Sequence, residues 1–276
     1  MKKFFVISVL ILALAWGFAS YSLQHRAYDT YNDCRKIWSS RGLYDQSTPR
    51  NSYQSVAQAF AAGAPGVEID IHYDPEMDRF VLSHAHPKIG PDGKRHYTLK
   101  NGELQTLGEL FKRTGKGHWF WLDFKNLDDL NDVQTQKAIA RLRSIAPGSL
   151  WARIYVEGNN PLKLKRYQNA GLHTIFDTDP LPAGNPLSPL LLGAYKIAFA
   201  WGGFDAVGMN YGKADNPIYA PRTAKVLGNI PVFVYHIPDK PDILKTLLKD
   251  PQVRVMLVGR DVSLNRFNLT ACKDQP

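Results

Sequence analysis

Short runs rich in β-branched and aromatic residues recur along the chain, separated by helical or loop-like stretches. Lys36–Ser40, Val67–Tyr73, Phe80–His84, His118–Lys125, Arg153–Glu157, His173–Asp177, Ala206–Asn210, Val232–Ile237 and Val253–Gly259 read as strands. Tyr53–Ala62, Leu107–Arg113, Val133–Ser144, Pro161–Asn169 and Pro241–Asp250 read as amphipathic helices, with Pro241 suited to a first turn. Strands alternating with helices predict βα units and a parallel sheet. Phe80–His84 is the exception. Only Asp74–Arg79 separates it from the preceding strand, too little for a crossover helix, so it reads as a hairpin arm. The remaining strands then match the arithmetic of an α/β protein of the (β/α)8 TIM-barrel class, with a β-hairpin insertion after the second strand. A doubly wound open sheet is the competing architecture, but no Gly-x-Gly-x-x-Gly follows the first strand. Leu181–Leu192 is proline-rich and reads as loop. No internal repeat or low-complexity stretch interrupts the pattern.

The N-terminus departs from it. Met1-Lys2-Lys3 precedes Phe4–Ala19, an almost wholly apolar run near the upper limit for a signal-peptide core and short for a spanning helix. Gly17-Phe18-Ala19 is a small-x-Ala cleavage sequence. Residues 1–19 are expected to be a signal peptide or an N-terminal membrane anchor, and 20–276 a single barrel domain. Either reading places the barrel outside the cytoplasm: periplasmic, secreted or anchored, with membrane association possible through the N-terminal segment.

Charge and cysteines refine this picture. A formal net charge of +9 favours anionic ligands. The chain has no long Lys/Arg run, no zinc-finger spacing and no RNA-binding aromatic signature, so no nucleic-acid partner is expected. The 44% content of hydrophobic residues excludes disorder as a whole-chain description. Cys34 precedes the first strand and Cys272 follows the last. Barrel closure makes those strands neighbours, so a disulfide between them is expected in an oxidising compartment.

The densest chemistry lies in Gly66-Val67-Glu68-Ile69-Asp70-Ile71-His72. Strand alternation puts Glu68, Asp70 and His72 on one face and the aliphatic residues on the other. With the aliphatic set against helices, two carboxylates and an imidazole face inward, where charges need partners or a metal. A hard divalent cation, Ca²⁺ or Mg²⁺, is the simplest compensation. The strand Trp119-Phe120-Trp121-Leu122-Asp123-Phe124-Lys125 adds Asp123 as a third carboxylate ligand and Lys125 as counter-charge for an anionic substrate. The hairpin arm brings His84 and His86 to the same region.

These residues carry a family resemblance. Ser40-Arg41-Gly42, Pro49-Arg50-Asn51-Ser52 and Ala61-Ala62-Gly63-Ala64 leading into Glu68-Ile69-Asp70 resemble the glycerophosphodiester phosphodiesterase pattern. That pattern reads His-Arg-Gly, Pro-Glu-Asn-Thr, then Gly-Ala-Asp-Gly-Val-Glu-x-Asp, followed by a hairpin ending in His-Asp. His84 falls at the second histidine. Asp123-Phe124-Lys125 falls at the family's Glu-x-Lys, and is more similar to the Asp-x-Lys of spider sphingomyelinase D enzymes. The resemblance is specific from Ser40 to Lys125 and architectural beyond. It implies Glu68, Asp70 and Asp123 as Ca²⁺ or Mg²⁺ ligands, His84 as catalytic acid/base, and Arg41 and Lys125 as phosphate-binding, Lys125 also serving catalysis.

The departures are specific. Ser40 replaces the first catalytic histidine, and Ala85 the Asp after the second. Tyr235-His236 stands for a Trp-Thr, and Gly259-Arg260 for a final Thr-Asp. Serine does not accept a proton near neutral pH without a base beside it. His72 is the expected stand-in for the missing base, with His86 second. The expected function is therefore an exported, metal-dependent phosphodiesterase acting on a glycerophosphodiester or phospholipid headgroup. The alternative is a catalytically impaired barrel that binds a phosphate ligand or regulates. A glycosidase is disfavoured, because Glu68 and Asp70 share one strand whereas a glycosidic acid and nucleophile must flank the scissile bond.

Overall fold

The computed structural model describes residues 14–114, 117–146, 148–259, 267 and 269–271. Eight parallel strands close into a barrel: β1 (Ile37–Ser40), β2 (Gly66–Asp74), β3 (Trp119–Phe124), β4 (Ile154–Gly158), β5 (His173–Thr178), β6 (Ala206–Asn210), β7 (Val232–Tyr235) and β8 (Val253–Val258). Closure is made by β1, which pairs with β8 on one side and β2 on the other. The insertion after β2 is a hairpin, with Arg79–Leu82 running antiparallel to Ile71–Asp74. Its turn is held by the Asp74 carboxylate, which accepts the backbone N–H groups of Glu76 and Met77.

Helices α1 (Tyr53–Ala61), α2 (Leu107–Thr114), α3 (Asp132–Ile145), α4 (Pro161–Asn169), α5 (Ser188–Gly202), α6 (Pro221–Leu227) and α7 (Pro241–Lys249) follow β1 to β7 in turn. Among these, α5 corrects the reading of Leu181–Leu192 as loop: only its first part is loop, and the helix starts at Ser188. Pro189 lies in the first turn, where its missing N–H costs nothing. No amphipathic stripe marks α5 because it is covered twice, by the barrel and by a helix over residues 14–24. Gly193 and Lys196 of α5 meet Trp16 of that helix. Among the described residues no helix is long and apolar enough to cross a membrane.

Two cores follow from strand alternation. Val67, Ile69, Ile71 and Tyr73 join the layer between strands and helices. Inside the barrel, Trp38, Trp121, Tyr155, Ile175, Phe233, Val255 and Leu257 fill the lumen. Tyr31 closes the bottom, its ring edge-on to Trp38 and Trp119 at 5.0 and 5.2 Å and its N–H donating to the Tyr155 hydroxyl. Gly66 is required by this filling, since a Cβ there would sit 2.5 Å from the Trp38 indole. The bottom is thus aromatic and closed, and the polar inward positions are left at the C-terminal mouth.

Residues 1–13, Arg260 and Cys272 lie outside the described residues, and with them most of the leader and the Cys34–Cys272 pair. The chain next to Cys272 does return to Cys34: the Ala271 N–H donates to the Cys34 carbonyl at 2.9 Å.

Candidate active site

The register of the parallel sheet sets the inward rows. Ser40 is level with Glu68, and Asp70 is level with Asp123, which is level with Glu157. Asp123 and Glu157 stand near the C-terminal ends of their strands, and Asp70, on a β2 that runs on past the rim, is level with them, where barrel sites are built. Asp70 is fixed through its backbone. The Asn51 side chain donates to the Asp70 carbonyl at 2.9 Å and accepts its N–H at 3.0 Å. Asn51 adopts φ 58°, a left-handed conformation that Asn tolerates better than most residues.

Glu68, Asp70 and Asp123 each present an oxygen within 4.8 Å of the others. Two cations lie against them. Arg41 Nε is 2.8 Å from one Asp70 oxygen, and Lys125 Nζ is 3.1 Å from the other while also contacting Asp123. Ser40 Oγ donates to Glu68 Oε2 at 2.9 Å, whereas the buried Glu68 Oε1 has no hydrogen-bond partner. Burial, then repulsion from Asp70 and Asp123, holds the Glu68 carboxyl well above the usual range. Burial also raises Asp123, against the pull of Lys125. An orphaned carboxylate oxygen among clustered hard donors fits a Ca²⁺ or Mg²⁺ ion.

The mouth is a cavity of about 410 Å³ lined by Ser40, Arg41, Glu68, His84, Asp123 and Lys125. His84 lies just past the hairpin arm, and its pKa is lowered first by burial. Its neighbour Ser83 is held on both sides: the N–H donates to the Asp70 carbonyl, and the carbonyl accepts from His72 Nδ1 at 3.0 Å. Here the structure departs from expectation. His72 keeps the parity of Glu68 and Asp70, but the hairpin arm pairs beside it and its ring turns to Ser83. It does not line the mouth. It opens instead, with His86, on a separate cavity of about 210 Å³. The expected replacement base and its runner-up therefore both stand apart from the carboxylate cluster's cavity, and His72 has the geometry of a positioning residue for the His84 loop.

The opposite wall of the mouth carries residues that the sequence reading did not single out as site residues. Glu157 Oε2 accepts from Trp121 Nε1 at 2.7 Å, and Asp177 Oδ1 accepts from the Tyr235 hydroxyl at 3.1 Å. His236 also lines the cavity, at φ 51°. Asn210 Oδ1 accepts from the Gly212 N–H, which turns its amide nitrogen toward His236 Nδ1 at 3.1 Å. His236 Nδ1 is therefore an acceptor, and the neutral ring carries its proton on Nε2. The signal for Glu157 and Asp177 was the one used for Asp123, a carboxylate near the end of a predicted strand.

Burial raises the Asp177 pKa to about 6 from 3.8. The folded state then binds more protons than the unfolded chain between those values, so stability falls as pH rises across that window. Asp177→Asn keeps an acceptor for Tyr235 and removes the buried charge. It is expected to stabilise the protein by about 2 kcal/mol at pH 7 and by almost nothing at pH 3.5, as read from urea unfolding at the two pH values.

No protein-family model and no curated protein sequence matches the chain. Solved structures do. A glycerophosphodiester phosphodiesterase from Thermotoga maritima is 15% identical over 82% of this chain and 94% of its own, with a TM-score of 0.58. One from Parabacteroides distasonis is 18% identical over 83% and 94%, with a TM-score of 0.57. An Oleispira antarctica phosphodiesterase, in complex with the product sn-glycerol-3-phosphate, is 14% identical over 82% and 92%, with a TM-score of 0.55. The chain thus has the barrel fold of glycerophosphodiester phosphodiesterases.

Proposed function

We propose that the protein is an exported, metal-dependent phosphodiesterase that hydrolyses a glycerophosphodiester or a phospholipid headgroup ester. The observation that carries this reading is the convergence of Glu68, Asp70 and Asp123 with Arg41, Lys125 and His84 at one barrel mouth. The likeness to a phosphodiesterase holding sn-glycerol-3-phosphate supports the same substrate chemistry.

Glu68, Asp70 and Asp123 would hold the divalent cation, which when bound polarises a non-bridging phosphate oxygen and offsets developing negative charge. Arg41 and Lys125 pair with phosphate oxygens and orient the diester. In the hydrolysis, water forms the new P–O bond and releases its proton to solvent, the bond to the leaving alcohol breaks, and His84 delivers a proton to that leaving oxygen and regains one from solvent after turnover. Ser40 is a poor acceptor for the water proton near neutral pH, and Glu68, the carboxylate beside it, would be engaged by the cation. His72 acts at one remove, by holding Ser83 and so the backbone that carries His84.

The test is turnover of bis-p-nitrophenyl phosphate and several glycerophosphodiesters, with and without chelator. Chelator-sensitive hydrolysis is expected. The Ser40–Glu68 hydrogen bond favours a second reading, in which the barrel binds its phosphate ligand without turning it over. If wild type is inert while Ser40→His creates chelator-sensitive activity, that second reading holds. Export carries its own expectation. Thiol titration of unreduced, denatured protein should find no free thiol, with Cys34 and Cys272 paired; two free thiols would reject the pairing.

A further inference from the structure

The helix over residues 14–24 is built into the fold. Ala19 and Leu23 are buried, and a Cβ at Gly193 would sit 2.7 Å from the Trp16 ring. Lys196 Nζ lies 5.2 Å from that ring centroid, and Arg26 Nη2 donates to the Gly203 carbonyl at 2.7 Å. Trp16 thus meets the middle of α5 and Arg26 meets its end. The two helices run parallel. Because α5 follows the C-terminal end of β5, where Asp177 faces the cavity, its start lies on the mouth side. Residue 14 is therefore on the mouth side as well.

That end is apolar. Leu14 is 66% exposed there, and Leu187 and Leu190 are 61% and 76% exposed at the start of α5, while Phe18 and Tyr21 continue the exposed apolar row along the N-terminal helix and Trp201 is half-exposed at the far end of α5. Large exposed apolar side chains grouped along one helix pair mark an interaction surface, and the end at which the preceding chain enters sets its direction. The sequence says what covers it. Phe4 to Ala13 precede residue 14 and are apolar apart from Ser8, with Lys2 and Lys3 before them. Cleavage after Ala19 would cut the helix at a buried residue and remove Trp16 from α5.

We infer that residues 1–19 are retained, and that the mouth-side ends of the N-terminal helix and α5 sit on a lipid bilayer, so that the catalytic mouth opens toward it. The substrate class is then a phospholipid headgroup presented by that bilayer, in preference to a free glycerophosphodiester. This last step rests on the phosphodiesterase reading, whereas the orientation does not.

The experiment uses the full chain with phosphatidylcholine/phosphatidylglycerol vesicles. An environment-sensitive fluorophore is placed either on Gly184→Cys, in the exposed loop before α5, or on Asn169→Cys, at the far end of α4. The protein is expected to pellet with vesicles, and the Gly184→Cys label to brighten and shift to the blue while the Asn169→Cys label does not. Failure to pellet, a response at Asn169→Cys, or no response at either position overturns the orientation. Phosphatidylcholine in vesicles is expected to be cleaved with kcat/KM about tenfold above glycerophosphocholine. The double variant Leu187→Ser/Leu190→Ser should lose about tenfold on vesicles and keep its rate on bis-p-nitrophenyl phosphate. Preference for glycerophosphocholine would overturn the lipid substrate. Absence of turnover on every diester would defeat the phosphodiesterase reading and leave the label experiment to decide the orientation alone.

Discussion

Replacing His84 with alanine is expected to lower kcat by about 10²–10⁴-fold, with little change in KM. The size of the loss follows from what else is in the cavity. The resemblance would put a histidine where Ser40 stands, and a serine hydroxyl is a weak proton acceptor near neutral pH. His72 and His86 open on a different cavity. His236 does line the mouth, yet its Nδ1 accepts from the Asn210 amide, a bond the ring would forfeit on becoming charged. A neutral ring with its proton on Nε2 can donate to a phosphate oxygen but is a poor acid. Substituting His236 should therefore raise KM more than it lowers kcat. Kinetics of His84→Ala and His236→Ala on one soluble diester separate the two roles. Full activity in His84→Ala would mean that the leaving oxygen is protonated by another group, and the assignment would be wrong.

The barrel was legible in the sequence because its signals are local. Aliphatic and acidic residues alternate along Val67–His72, and the gap Asp74–Arg79 is too short for a crossover, so both the inward carboxylates and the hairpin followed from spacing alone. Helix α5 was not legible, because a helix covered on two sides has no polar face to give it a period. The cluster of Glu68, Asp70 and Asp123 was legible for the same reason as the barrel. The fate of His72 was not. Parity fixes the face on which a side chain leaves the strand, but not how far the strand runs past the mouth or which loop covers its end. Ser83, a residue with no signal of its own, decides it by accepting the His72 N–H. Glu157 and Asp177 could have been found by extending the strand-end argument from Asp123 to the next two strands.

Removing Asp70 is expected to be the most damaging single change to the fold of the site. Its side chain is fully buried, and both oxygens face cations, Arg41 Nε at 2.8 Å and Lys125 Nζ at 3.1 Å. Deleting the carboxylate also relieves its repulsion from Glu68 and Asp123, so the sign depends on magnitudes. At an effective dielectric constant near 20, a pair at about 3 Å is worth roughly 5–6 kcal/mol and one at about 4.8 Å roughly 3–4 kcal/mol. The attractions act at 2.8 and 3.1 Å between groups charged on both sides. The raised pKa of Glu68 further weakens its repulsion in the apo protein. Arg41 and Lys125 keep some solvent contact, so Asp70→Ala should fall near the lower end of the range for breaking a buried pair, about 3 kcal/mol. Asp70→Asn should cost less, since the amide oxygen still accepts one of the two cations. The same variants report on the ion. Millimolar Ca²⁺ or Mg²⁺ is expected to raise the wild-type Tm through selective binding to the folded state, and to leave both Asp70 variants unmoved. An Asp70→Ala protein as stable as wild type would show that the two cations do not depend on this carboxylate. A Tm that still rises with metal in that variant would place the ion elsewhere than between Glu68, Asp70 and Asp123.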